Sequence, residues 1–270
     1  MWATGEAYEP YVGRWSRLVA IRFVRWMGAP AGGTWRDIGC GTGAVTGAVL
    51  EVADPAGVIG ADPSQGYVDY ARGHIADRRA RFVLADAMQL PFADSTASVA
   101  VSGLVLNFVP HPARAVAEMT RVVVPGGQVG AYVWDYGEGG MEAIRAFWDA
   151  AVTLDRQAKP LDEAVRFQLC ARSPLGELLA GAGLQDVEVD EIRVPTRFAD
   201  FDDYWTPFLG GQGPAPAYMA GLPEGHRAEL REQLRAALPQ AADGSILLHA
   251  RAWAARGRRG RAGKPVNPAT

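Results

Sequence analysis

One stretch constrains this chain more than any other: Asp37-Ile38-Gly39-Cys40-Gly41-Thr42-Gly43, set between a short apolar run and a helical stretch. Glycines let the backbone turn sharply and approach a ligand closely. Such a loop presents N–H groups at a helix N-terminus, where a phosphate or a carboxylate is favoured. Strand, glycine loop and helix (34–38, 39–43, 44–52) open a pattern that repeats along the first half. Strands are predicted at 58–61, 81–85, 97–102 and 128–134. Helices are predicted at 64–75, with Ser64 as N-cap, and at 112–122, followed by a turn at 125–127. The alternation predicts an α/β fold, a parallel sheet covered by helices. A further helix is predicted at 12–27, where Trp15, Leu18, Val19, Arg22, Phe23 and Trp26 recur at helical spacing.

The second half is less regular. Helices are expected at 141–154, 161–169, 175–182 and 223–238, and strands at 187–194 and 245–254. The stretches 136–170 and 197–243 are longer than plain connections need. They are read as helical cap insertions on a core of 30–135 and 173–256, all one domain over 1–256. Residues 257–270 read as a basic Gly/Pro tail, expected to be disordered.

Composition excludes several classes. The chain has 270 residues, 49% hydrophobic and 21% charged, as an ordinary globular protein has. Its net charge of -3 provides no basic field to gather nucleic acid or anionic lipid. No apolar run approaches the roughly 18–20 residues of a membrane span. Glu6 and Glu9 interrupt any signal-peptide order at the start. The two cysteines, Cys40 and Cys170, form no metal-ligand cluster. The expectation is a cytoplasmic, metal-free protein, monomer or homodimer, with a small-molecule partner and no nucleic-acid or membrane partner.

Two acids extend the loop's chemistry. Asp62 ends the second strand at about the spacing of a ribose-binding acid. Asp86, followed by Ala87 and Met88, ends the third strand, where a carboxylate can accept from an adenine amino group. Met88 and Pro63 are placed to flank the ring. Gly39-x-Gly41-x-x-Ala44 also satisfies the loose dinucleotide pattern, so an NAD(P)-dependent oxidoreductase is the alternative. Against it, Asp37 would stand beside a pyrophosphate, whereas an ammonium group welcomes an acid. No Tyr-x-x-x-Lys pair is present, and the only lysines are Lys159 and Lys264.

The run from Asp37 to Gly43 resembles the first motif of class I S-adenosylmethionine-dependent methyltransferases. Asp62-Pro63-Ser64 resembles their second-strand acid, and the run from Asp86 to Phe92 resembles their adenine motif. The stretches 101–109 and 121–127 resemble the fourth-strand and pre-fifth-strand segments, and 11–16 the helix before the core in some members. The methyltransferase type 11 branch, with ubiquinone/menaquinone-biosynthesis and many natural-product methyltransferases, fits best, over about 8–134. The resemblance implies a Rossmann-like, seven-stranded, mostly parallel sheet with an antiparallel last strand. It implies S-adenosylmethionine as cofactor. Gly39, Gly41 and Gly43 would hold its methionine part, with Asp37 toward the amino group. Asp62 would bind ribose, Asp86 and Ala87 would read adenine, and Gly103 and Leu104 would line the sulfonium side. Cys40 joins the site through its backbone, as a small filler rather than a nucleophile. Tyr11 and Trp15 either close over the cofactor or pack the core.

Ligands of an open α/β sheet lie beyond the strand C-termini. That places Asn107, Phe108, Trp134, Asp135 and Tyr136 near the methyl group. Tyr204, Trp205 and Phe208 either form an aromatic wall for a planar or apolar acceptor or pack the cap onto the core. Asp135 and His111 are the candidates for a general base, though methyl transfer can proceed by alignment alone. A protein that binds S-adenosylmethionine without catalysis stays open, because the chemistry demands no particular side chain.

Overall fold

A computed structural model describes residues 13–210 and 213–261. Its seven strands are β1 (Thr34–Ile38), β2 (Gly57–Asp62), β3 (Ala80–Leu84), β4 (Ala97–Gly103), β5 (Val123–Trp134), β6 (Leu184–Phe198) and β7 (Ile246–Arg259). They form one sheet in the order β3-β2-β1-β4-β5-β7-β6. The first five are mutually parallel, and β7 runs antiparallel to both β5 and β6. The order reverses between β1 and β4, so the loops after these two strands diverge and open a crevice. This is the expected Rossmann-like sheet.

Helix α1 (Arg14–Met27) forms because Trp15, Val19, Phe23 and Met27 fall on one face and are buried there. Tyr132 of β5 meets Phe23 at 4.7 Å between ring centroids. Helix α2 (Ala44–Val52) follows the glycine loop and packs beside α1. Helix α3 (Gln65–His74) starts where the Ser64 hydroxyl accepts from Tyr67 N, as the sequence predicts. Helix α4 (Pro112–Val122) opens with Pro112, whose fixed φ suits a first helical residue, and buries Ala115, Val116, Met119 and Val122. Helix α7 (Arg172–Gly181) follows the first insertion and packs on β6 and β7.

Both insertions are helical. The first carries α5 (Glu142–Leu154), a 3-10 turn (Arg156–Leu161) and the short α6 (Glu163–Arg166). The second, between β6 and β7, carries α8 (Phe201–Trp205), α9 (Pro214–Gly221) and α10 (Glu224–Ala237). Aromatic contacts join them. Phe147 stacks on Phe208 at 4.6 Å and 8°, and Tyr204 donates to Ala143 O at 2.9 Å. Glu163, 2% exposed, accepts from the Trp148 indole.

Several boundaries differ from expectation. The turn predicted at 125–127 lies inside β5, which starts at Val123. The helix predicted at 161–169 is instead the end of a 3-10 turn and four residues of α6. The boundary placed at 256 falls within β7, because Arg256 to Arg259 are strand residues. Their charges are used locally. Arg256 pairs with Glu188 at 2.8 Å and donates to the carbonyl of Met27, and Arg259 donates to Arg121 O at 2.8 Å. Residues 262–270 lie outside the described residues. No described helix is long and apolar enough to cross a membrane.

Candidate active site

The glycine loop joins β1 to α2. Gly39 has φ +75, and a Cβ there would stand 2.5 Å from Val105, so only glycine lets the loop pass the β4 end. The loop's amides turn inward. Gly39 N and Cys40 N donate to Ala61 O at 2.7 and 3.0 Å, Gly41 N to Asp62 Oδ2 at 3.0 Å, and Gly43 N to Cys40 O at 2.8 Å. The expected row of outward N–H groups is therefore largely spent within the fold.

Two carboxylates stand behind this loop. Asp37 is fully buried, and Thr46 on α2 donates to its Oδ2 at 2.7 Å. Its Oδ1 is buried, with no hydrogen-bond partner among the described residues. Burial pushes the Asp37 carboxyl up to about 7 against the Thr46 hydrogen bond, with a smaller contribution from Asp62. Asp62 is 7% exposed and accepts from Gly41 N and from Ser64 N at 2.9 Å. Burial raises its pKa too, while those two N–H bonds oppose the rise. Each oxygen keeps a second lone pair, as ribose hydroxyls would need. The Cys40 thiol is pushed well up, by burial first and then by Asp37 and Asp62, which rules it out as a neutral-pH nucleophile. Its side chain packs with Val68, Ala71 and Phe82 beneath the loop.

The β3 end lies beside β2, where Ala85 N donates to Asp62 O at 3.0 Å. Asp86 is exposed and holds Met88 N at 2.8 Å. Ala87 is buried, Met88 half-buried and Pro63 exposed. At the β4 end, a Cβ on Gly103 would stand 2.6 Å from the Tyr132 hydroxyl. Leu104 follows with φ +62, a left-handed conformation that strains a non-glycine residue by roughly 1–3 kcal/mol. Its N–H bonds Tyr132 O at 2.8 Å, so the last β4–β5 contact holds that turn in place. This strain has no sequence signal.

The acceptor-side candidates separate. Asn107 and Phe108 share one 3-10 turn (Leu106–Phe108) above β4. Asn107 Nδ2 is buried without a partner among the described residues, and Phe108 is 47% exposed. Trp134 is 4% exposed, and its buried indole nitrogen has no partner among the described residues. Tyr136 sits 5.8 Å from Phe167, a residue for which the sequence offers no motif. Tyr204 and Phe208 line a small apolar cavity with Trp15, Met141 and Thr196, of about 20 Å³, room for about one water. Trp205 does not line it, and stacks on Phe201 at 6.2 Å instead. All three residues are buried in this structure. Trp15 lies edge-on to Phe198 of β6 at 5.6 Å, so it covers the cap side of the sheet rather than the β2–β3 side. Tyr11 lies outside the described residues.

The two base candidates stand in different settings. Asp135 Oδ2 is held by Arg251 at 2.6 Å and its Oδ1 by Gly137 N at 2.8 Å. It ties the β5 end to β7. His111 precedes the first residue of α4, where its backbone carbonyl accepts from Arg114 and Ala115. No group of three metal-ligating side chains occurs among the described residues.

Residues 36–130 match a family described as a methyltransferase domain. The demethylmenaquinone methyltransferase of Bacillus licheniformis is 37% identical over 105 residues, 38% of this chain and 45% of that one. The chain spans less than half the length of that relative. Phosphoethanolamine N-methyltransferase 2 of Haemonchus contortus was solved with phosphomonomethylethanolamine and S-adenosylhomocysteine. It shares the fold with a TM-score of 0.56, at 15% identity, over 91% of this chain and 53% of that one. The cyclase SpnF shares it with a TM-score of 0.54, at 23% identity, over 92% and 82%. Residues 36–130 thus match a methyltransferase domain family, and the chain shares the fold of these solved structures.

Proposed function

We propose that this chain binds S-adenosylmethionine across the glycine loop and transfers its methyl group to a small, apolar or aromatic acceptor. One observation carries the reading: two carboxylates, Asp37 and Asp62, back a loop whose own amides are turned inward. That cradle is electronegative. It repels a pyrophosphate and suits a ligand bearing an ammonium and a sulfonium. The orphaned Asp37 Oδ1 is the acceptor such an ammonium needs, and Asp62 retains lone pairs for ribose. Four of the loop N–H groups, those of Gly39, Cys40, Gly41 and Gly43, are already paired, which weighs against the dinucleotide alternative.

Bound S-adenosylmethionine supplies an electrophilic methyl carbon on a sulfonium. Held there, its sulfonium would serve as the leaving group for attack by an acceptor lone pair, the bonding pair remaining on sulfur. The chain's contribution is alignment and exclusion of water. Gly103 and Leu104 line the sulfonium side, and the residues above β4 and β5 hold the acceptor. A quinone-like ring is supported by the B. licheniformis relative's own activity.

A second reading, cofactor binding without methyl transfer, is favoured by the engagement of Asp135 and by the same fold in the cyclase SpnF. Calorimetric titration with S-adenosylmethionine, S-adenosylhomocysteine and NADH, beside an Asp62→Ala variant, tests the assignment. Both adenosyl ligands should bind, and the variant should lose them. Binding of NADH alone would overturn the assignment. Methylated product from a panel of phenols separates the two remaining readings.

A further inference from the structure

Beyond the cofactor cradle, the C-terminal edges of β4 and β5 carry a feature that no sequence motif announces. Phe108 stands 47% exposed on the turn above β4. Phe167, delivered by the first insertion just after α6, meets it edge-on at 5.1 Å and 76°. Tyr136, just past β5, also meets Phe167, at 5.8 Å between ring centroids. Three separate segments thus converge in one aromatic rim at the end of the sheet where ligands of this topology bind. Phe167 is fixed from behind: its N–H bonds Glu163 O at 2.9 Å, and Glu163 is anchored on Trp148. Next to Phe108 on the same turn, Asn107 holds a buried Nδ2 donor with no acceptor among the described residues. A buried donor left unpaired is destabilising, and an acceptor oxygen on a ligand would satisfy it.

We propose that Phe167 is a specificity-determining residue: with Phe108 and Tyr136 it seats a planar ring of the acceptor, and Asn107 Nδ2 donates to an oxygen on that ring. This rests on the acceptor lying above β4 and β5, as in the proposed methyl transfer. An exposed aromatic edge favours a flat π-face over a saturated ring of equal size. The amide donor selects against a ring without oxygen.

The test uses the full chain, calorimetry, and two probes, 1-naphthol and its saturated counterpart 1-decalol, with S-adenosylhomocysteine titrated separately. Wild-type protein binds naphthol at least about tenfold more tightly than decalol. Phe167→Ala and Phe167→Leu each erase that preference and leave S-adenosylhomocysteine affinity within about twofold; the leucine variant keeps the apolar volume and guards against misfolding. Asn107→Ala weakens naphthol binding about tenfold and leaves the ring preference intact. Equal affinity for the two probes, or a preference that survives in both Phe167 variants, overturns the proposal while leaving the cofactor assignment standing. Loss of S-adenosylhomocysteine binding in wild type, with the naphthol preference still abolished by Phe167→Leu, supports this ring site and overturns the methyl-transfer reading instead.

Discussion

Asp37 concentrates the physics of this site in one residue. Its carboxyl is held at about 7 in the fold by burial, against an ordinary 3.8. A cationic ligand needs it ionised. Affinity for S-adenosylmethionine should therefore weaken as pH falls below about 7, approaching tenfold per unit if Asp37 alone controls it. Calorimetry at about pH 6 and about pH 8 checks this, and a flat profile would remove Asp37 from the binding argument. The same shift has a stability consequence. The folded chain holds this proton more tightly than the unfolded chain does, so stability falls as pH rises from about 4 to about 7. Asp37→Asn, neutral at every pH, should melt above wild type near pH 8 by the equivalent of about 2 kcal/mol, yet bind the cofactor at least about tenfold more weakly. A variant that is both less stable and normal in binding contradicts the assignment. Asp37 and Asp62 were readable as candidates because acids at strand ends beside a glycine loop form a local pattern. The orphaned Oδ1 and the strained Leu104 were not, because burial and left-handed φ depend on Thr46, Val105 and Tyr132, which arrive from elsewhere in the chain.

Among the elements, the two insertions behave as one buried unit. Trp205 is 5% exposed against Phe201, so Trp205→Ala should destabilise by about 3–5 kcal/mol and leave cofactor affinity unchanged, read by denaturant unfolding and calorimetry. Glu163 is the unit's pH-sensitive point. Burial raises its carboxyl to about 7 from an ordinary 4.5, against the Trp148 hydrogen bond. The sign is that of Asp37: stability declines as pH climbs from about 4.5 through about 7. Glu163→Gln keeps an oxygen for Trp148 and removes the charge. It should gain about 2 kcal/mol near pH 8 and little near pH 4, which thermal melts at both values can show. Helical periodicity made α1, α4 and α5 legible. It failed at 161–169, where a buried carboxylate and a 3-10 turn, rather than an apolar stripe, set the backbone.

At the scale of the whole molecule, β7 is the strand that closes the sheet. It pairs with β6 from Ile246 to Arg259 and with β5 from Ala252 to Arg258, and uses Arg256 and Arg259 to reach α1, Glu188 and the end of α4. Truncation after Ala255 should therefore lower the melting temperature by several degrees, since roughly 1 kcal/mol corresponds to about 2–4 °C for a chain of this size. An unchanged melting point would mean that this end of the strand contributes nothing. From sequence alone followed the parallel half of the sheet, the glycine loop and its acids, and the presence of helical insertions. Each of these is written in near neighbours along the chain, as a turn residue, a cap or a period of apolar residues. Tertiary structure alone decided that the loop amides face inward, that Tyr204 and Phe208 pack the cap, that Asp135 is tied to Arg251, and that Phe167 meets Phe108. Those outcomes depend on contacts between segments distant in sequence, whose burial and orientation no local pattern encodes.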